Sequence, residues 1–562
     1  MSKNSRRVDF PDLPGLKNLR SYQWQWLGRD ILAGVTVAAY AIPQCMAYGD
    51  LAGVEPVVGL WTLVPAALVY ALFGSSSQLS LGPESTTAVM TAAAIAPLVS
   101  LQGENYGSLA AFLALMVGLI CFVAYIARLG FLANLLSKPI LIGYMAGVAV
   151  IMIAGQLGKI SGLSIRENTV FKEIFAFFWG INQWHWPTLS LALLLLLFLF
   201  VIQKYFPKAP GPLLAVLLGT LAVATLHLDG EGVAVVGKIS KTLPNFGLPT
   251  LDFSQLLPLV TAAVGIALVG YSDNVLTARA FAARHNQEID ANQEFLALGL
   301  GNLAAGFCQG FPISSSASRT AVGDSVGSKS QLYSLVVAVV VVAVIFFLGP
   351  LLALFPKAAL GALVIYAACK LLDIAGAKRL KSFRNSEFNL AVLTMVGVLT
   401  TGILSGVAIA IGLSVIDLLA RITRPDDAVL GTVPGVMGLH ALQDWPEAQT
   451  IPGLVIYRYD APLFFANAAD FKRRALSAIA RETKPVEWFV LNTEALGELD
   501  STAVEILEEL AAELSIQGIV FALARVKHDL YLELQRSRLL DRISEERIYY
   551  TLPTAIEAFK NR

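Results

Sequence analysis

Charge is what this sequence has least of. Of 562 residues only 15% are Asp, Glu, Lys or Arg, against about 25% in soluble domains. The 41 basic and 41 acidic residues cancel, and a zero balance leaves no electrostatic footprint for nucleic acid. Cysteine is scarce too. Cys45, Cys121, Cys308 and Cys369 stand apart in apolar segments, without a Cys-x-x-Cys pair or a histidine cluster, so neither a disulfide framework nor a zinc site is expected. There is no Walker motif, no nucleophile–base pair and no metal signature. An enzyme, or ATP-driven transport by this chain alone, is therefore not expected. The start, MSKNSRRVDFPDLPGLKNLRSYQWQW, lacks the apolar core of a cleaved leader. Residues 1–28 read as a cytoplasmic arm with Trp24 and Trp26 at the membrane interface.

What fills the chain is apolar. Hydrophobic residues make up 56% and mean hydropathy is +0.65. Runs long enough to span a bilayer begin near Ile31, Val57, Leu109, Ile142, Leu189, Pro212, Leu256, Phe295, Leu332, Leu360, Phe388 and Val407. With two interrupted helices described below, this gives about fourteen segments between residues 29 and 424. Basic residues collect in the loops expected inside: Arg128 and Lys138; Lys204 and Lys208; Arg279 and Arg284; and Lys370, Lys378, Arg379, Lys381 and Arg384. Outer loops are acidic or mixed, with Asp50 and Glu55, then Asp229, Glu231, Lys238, Lys241 and Asp252. That asymmetry predicts cytoplasmic N- and C-termini. A faint repeat links 132–139 (LANLLSKP) with 352–357 (LALFPK). If residues 29–228 and 255–424 are halves of seven spans each, the odd number inverts the second half. A linker is expected over 425–452. From 453 to 562, strand-like runs at 454–459, 487–491 and 518–523 alternate with amphipathic stretches at 468–481, 501–516 and 528–538. That alternation predicts a small α/β domain with a largely parallel sheet.

Two segments break the apolar runs: Leu81-Gly82-Pro83-Glu84-Ser85-Thr86-Thr87, and Phe311-Pro312-Ile313-Ser314-Ser315-Ser316-Ala317-Ser318-Arg319-Thr320. Lipid cannot satisfy bare backbone, so interrupted helices survive only around a protein-lined cavity. One such break per half is the best pointer to a transporter's binding site. Pro83 suits a first helical position and Gly82 a cap. Ser85, Thr86 and free N–H groups would then face the cavity. Each helix start carries roughly half a positive charge, and two that face one another make an anion site.

Arg319, with Ser316 and Thr320 at helical spacing, cannot shed its proton. It either stabilises an anion or pairs with Glu84. Two helix starts and Arg319 sum to about +2, which balances a divalent oxyanion; ionised Glu84 reduces this to about +1. Protonation of Glu84 would thus couple proton entry to divalent anion binding. In the first span Gln44 and Tyr48 share a face beside Pro43; Gln44 either grips solute or bonds a neighbouring helix. Asp273 and Thr277, one turn apart in an apolar run, form a candidate Na⁺ or H⁺ site, or Asp273 pairs with Arg279.

The ordered set Pro-Gln-x-Met-Ala-Tyr at 43–48, Gly-Pro-Glu-Ser at 82–85, Asp273 with Ala-Arg-Ala-Phe-Ala at 278–282, Ser-Arg-Thr at 318–320, and Leu-Asp-Ser-Thr-Ala at 499–503 resembles the SulP anion transporter family, the solute carrier 26 type. The likeness covers essentially the whole chain. It implies a helical membrane fold with a seven-plus-seven inverted repeat, split into core and gate domains, followed by a cytoplasmic STAS domain. It also implies elevator-type movement, a homodimer, and solute held between the third and tenth helices. Gln44, Tyr48, Ser318 and Arg319 fall on family binding positions and Asp273 on a coupling position. Ser501 and Thr502 match a turn that is phosphorylated in some STAS proteins, or else cap a helix. The activity implied is secondary transport of a small inorganic oxyanion, sulfate with H⁺ or Na⁺ first and bicarbonate with Na⁺ second. A STAS-based membrane signalling protein is the reading from another class. No organic cofactor is expected.

Overall fold

The computed structural model describes residues 14–15, 22–102, 106–131, 137–165, 169–206, 209–237, 244, 246–249 and 256–562. Residues 132–136 of the faint repeat, and the loop charges Lys208, Lys238, Lys241 and Asp252, lie outside the described residues. The chain forms two compact units, Met1–Ser414 and Val415–Arg562.

The first unit is helical, and the last of its helices continues past Ser414. A helix stands at each segment marked by hydropathy: α1 (Leu27–Leu51), α2 (Pro56–Phe73), α3 (Ser85–Gln102), α4 (Tyr106–Ile126), α5 (Lys138–Ser161), a short exposed α6 (Val170–Trp179), α7 (Trp186–Tyr205), α8 (Gly211–Leu226), α9 (Leu256–Arg284), α10 (Ala291–Phe307), α11 (Ala317–Val326), α12 (Leu332–Ala353), α13 (Lys357–Leu371), α14 (Ile374–Phe383), α15 (Asn385–Thr401) and α16 (Ile403–Thr423). Among the described residues, nine helices are long and apolar enough to cross a membrane. The surface is inverted relative to a soluble protein. Leu119, Val123, Leu194, Leu197, Leu221 and Phe347 are exposed, whereas Thr62, Thr91, Asn274, Glu294, Asn302 and Arg319 are buried. Lipid accepts the first set, and the second must find partners inside.

Packing divides this unit into two bundles. In one, α1, α2 and α12 pack together, α10 packs on α2 and α4, α9 on α4, and α11 on α1. In the other, α5 packs on α13 and α15, and α7 on α8 and α13. Helices α8 and α13 also touch α1, where the bundles meet.

The second unit carries a six-stranded sheet in the order β4-β3-β5-β6-β7-β8, from β3 (Asp427–Thr432), β4 (Leu439–Ala441), β5 (Leu454–Tyr459), β6 (Trp488–Asn492), β7 (Val520–Ala524) and β8 (Ile548–Tyr549). Strands β5 to β8 are parallel, while β3 and β4 are antiparallel additions. Helices α17 (Ala468–Ala480), α18 (Ser501–Ile516) and α19 (His528–Arg536) bury one side through Phe471, Leu507, Leu510 and Leu530. A last helix, α20 (Leu552–Lys560), buries the other through Ala555 and Phe559. The expected linker at 425–452 is thereby corrected. Its first part is β3, whose inward residues Ala428 and Leu430 are buried and whose backbone pairs with β5 from Asp427 to Leu430.

Candidate anion site

The two breaks meet. Leu81–Gly82 (β1) pairs antiparallel with Ser314–Ser315 (β2), Leu81 opposite Ser315 and Gly82 opposite Ser314. Helices α3 and α11 start just beyond. Side chains supply the hydrogen bonds that this irregular backbone cannot make to lipid. Gln331 Nε2 donates to the carbonyls of Ser76 (2.8 Å) and Leu79 (3.0 Å), and Tyr333 OH to that of Gln78 (2.7 Å). Asn302 brackets Ile313, accepting its N–H at 2.9 Å and donating to its carbonyl at 3.2 Å. Thr320 Oγ1 accepts from Ser80 N at 3.0 Å. Gly82 sits at φ 157°, and a Cβ there would lie 2.4 Å from Leu63 Cδ1. Only glycine fits.

Both helix starts open on one cavity of about 330 Å³ between the bundles. The first bundle contributes Gln44 and Tyr48 from α1, Glu84, Ser85 and Thr86 from the first break, Asp273 from α9, and Ser316, Ala317 and Ser318 from the second break. The facing wall is Met145 on α5 with Tyr366, Ala367, Lys370 and Leu371 on α13. Gln44 is 6% exposed and its Oε1 has no partner. The first N–H groups of a helix lack acceptors within it, so Ala317 and Ser318 present free donors to this space.

Three expectations need correction. Arg319 is fully buried but is not on the cavity wall. Its Nη1 donates to the Pro83 carbonyl at 2.7 Å and its Nε to Ser80 Oγ at 3.3 Å, and Nη2 is unpartnered, 3.3 Å from where a Gly82 Cβ would be. It braces one break against the other, and its hydrogen bonds go to Pro83 and Ser80, not to Glu84. The fork of five donors suits a bare carbonyl that lipid would leave unpaired. Second, the start of α3 is filled by Glu84 and not by Gly82: Oε2 accepts from Thr86 N (2.6 Å) and Oε1 from Ser85 Oγ (2.5 Å). Third, Thr277 is buried away from the cavity. Asp273 instead accepts from Ser315 Oγ at 3.4 Å, and the Asp273–Thr277 pair does not assemble on the wall. In the second unit Asp500, not Ser501 or Thr502, caps α18 by accepting from Ala503 N at 2.8 Å, which leaves Ser501 exposed.

Two participants escaped the sequence reading. Lys370, at the end of α13, lines the cavity with Nζ 4.6 Å above the Tyr366 ring and 3.3 Å from Gln203 Oε1. Glu294 on α10 is fully buried and accepts from Tyr70 OH (3.0 Å), Ser75 N (3.0 Å), Ser75 Oγ (2.7 Å) and Asn274 Nδ2 (2.6 Å). It ties α9, beside Asp273, to the loop entering the first break. Its signal was available as the one acid opening the apolar run of α10.

Residues 27–394 match the Sulfate permease family and residues 446–555 the STAS domain. A probable sulfate transporter of Mycobacterium tuberculosis is 52% identical over 98% of this chain and 98% of its own length. Sulfate transporter 4.1 of Arabidopsis thaliana, a chloroplast protein, is 30% identical over 99% and 84%. Murine Solute Carrier 26 family member A9, an anion transporter solved in an inward-facing state, superposes with a TM-score of 0.91 over 100% of this chain and 96% of its own, at 22% identity. The transmembrane domain of the cyanobacterial bicarbonate transporter BicA has a TM-score of 0.62 over 70% of this chain and 98% of its own. A helical membrane unit built around two interrupted helices, followed by an α/β unit with the STAS sheet, thus goes with a sequence match over most of its length: the chain is a multi-pass membrane protein of the sulfate permease family of anion transporters.

Proposed function

We propose that this protein is a secondary active transporter of a small inorganic oxyanion, sulfate first, driven by H⁺. The observation that carries the reading is the shared cavity. Two helix starts, the side-chain amide of Gln44, and the hydroxyls of Ser85, Thr86, Ser316 and Ser318 converge on it. Donors of this kind suit an anion that must also leave. Sulfate is preferred because the Mycobacterium tuberculosis and Arabidopsis thaliana relatives carry that name. Coupling is assigned to Glu84 and Asp273, two carboxylates on one cavity wall. Two like charges so placed favour taking up a proton when a divalent anion arrives. Sodium is less favoured, since Thr277 is not beside the cavity.

The cavity's position between two separately packed bundles supports an elevator-type movement, in which the bundle carrying both breaks slides along the one carrying α13. We further propose cytoplasmic termini, a homodimer, and Ser501 as a phosphorylation site on the second unit.

Uptake of radiolabelled sulfate and bicarbonate into proteoliposomes, under imposed pH and Na⁺ gradients, tests the reading. Sulfate accumulation driven by an inward proton gradient is expected, and Glu84→Gln should flatten its pH dependence. Sulfate uptake indifferent to both gradients removes the coupling claim. Na⁺-driven bicarbonate uptake without sulfate transport transfers the assignment to a bicarbonate symporter.

A further inference from the structure

The two helix starts facing the cavity are filled differently. At α11, Ser316 Oγ accepts from Arg319 N at 3.4 Å, and the N–H groups of Ala317 and Ser318 remain open to the cavity. At α3, the Glu84 side chain turns back onto its own helix and takes both Thr86 N–H and Ser85 O–H, at 2.6 and 2.5 Å. Hydrogen bonds to a carboxylate at such distances are roughly twice as strong as neutral ones, and the helix dipole adds to them. An oxyanion entering this cavity would seek the same donors. A backbone N–H engaged at 2.6 Å has nothing left for a second acceptor.

We infer that Glu84 is an intramolecular occupant of the anion site: its carboxylate holds the α3 donors in place of the solute, and the solute reaches them only by displacing it. This rests on the anion-transport reading above and adds a competition to it. The surroundings make the competition strict. The charged and titratable groups that share the cavity with Glu84 are Asp273 from α9 and Tyr40 and Tyr48 from α1 on its own wall, and Tyr366 and Lys370 from α13 on the facing one. Asp273 opposes a third negative charge in the same space, whereas Lys370 offers a displaced carboxylate a place to turn. Solute therefore docks first on the open α11 start and Gln44, whose amide can turn either end to the cavity. It completes its coordination at α3 when Glu84 swings out. Exit reverses the order, with Glu84 returning to push the anion off. A transporter that must release its cargo gains from such a built-in competitor, since a site with both helix starts open would hold the anion too tightly.

The test is inorganic sulfate binding to the purified full chain in detergent, by calorimetry, with sulfate-induced shifts of the melting temperature as a second measurement on the same samples. Glu84→Gln keeps shape and removes charge; Glu84→Ala removes the occupant. Asp273→Asn removes an equal charge from the same cavity without freeing a helix start. Sulfate affinity is expected to rise roughly tenfold in Glu84→Gln, the effect of one charge at a helix start. Glu84→Ala should gain at least as much and Asp273→Asn clearly less. Unchanged or weaker binding in both Glu84 variants overturns the competition, and an equal gain in Asp273→Asn reduces it to a general field of the cavity and overturns it too. If all four proteins melt cooperatively and none binds sulfate, bicarbonate or chloride, the anion-transport reading itself fails. That result is distinct from the others.

Discussion

The two breaks are near twins in sequence and opposites in use. Each places Pro and hydroxyls ahead of a helix, and each contributes a two-residue strand to the ladder that joins them. Yet the first is a recipient. Its carbonyls are held from outside by Arg319, Gln331 and Tyr333, and its helix start is closed by its own Glu84. The second is a provider: it sends Arg319 backwards into the first break and leaves its N–H groups facing the cavity. Position relative to the wall separates the two. A full charge in the core is costly unless it finds partners, and the guanidinium finds two in the first break, the Pro83 carbonyl and Ser80 Oγ.

The largest effect that would break this contrast is at Arg319. Arg319→Ala strands the Pro83 carbonyl and Ser80 Oγ, and a buried acceptor left bare costs about 1–3 kcal/mol. A fall in the detergent melting temperature together with lost uptake is expected, with Arg319→Lys intermediate because a point ammonium cannot reproduce the fork. A stable Arg319→Ala protein whose only defect is a raised KM for sulfate would put the guanidinium on the solute after all.

Next comes Gly82. Alanine there meets Leu63 Cδ1 at 2.4 Å and strains a φ of 157°. Overpacking of this kind costs about 1–3 kcal/mol. Trimming the neighbour in Gly82→Ala/Leu63→Ala should recover part of the lost melting temperature. Absence of any recovery would assign the loss to backbone strain alone.

Much of this arrangement was legible in advance. Gly-Pro and Ser-rich punctuation inside apolar runs marks a break wherever it occurs, and an α/β alternation after residue 453 marks the second unit. Directions were not legible. Arg319 reaches a carbonyl 236 residues earlier in the chain, and no local spacing encodes that partner. The cap was assigned to Gly82 because glutamate is not among the preferred helix caps, whereas Gly82 and Pro83 look like a start. Lys370 satisfies the positive-inside pattern equally well whether it faces the cytoplasm or a cavity mouth. Strand β3 hid in the expected linker because its register is set by its neighbours β4 and β5, and a strand of six residues has little periodicity of its own.

The smallest effect is also the most selective, since it asks the two helix starts the same question. Ser316 is the cap of α11 and touches Arg319 N and Ser318 Oγ. Ser85 lies inside α3 and only donates to Glu84. Losing a serine cap costs about 1 kcal/mol, so Ser316→Ala should lower stability by about that amount and loosen the open donor set, raising KM for sulfate several-fold. Ser85→Ala removes one of two bonds holding Glu84, so it should weaken the occupant and leave KM unchanged or slightly lower. Opposite signs in the two alanine variants, measured as sulfate KM in proteoliposomes, are what an occupied start and an open one require. Equal increases would mean that both starts grip the anion alike.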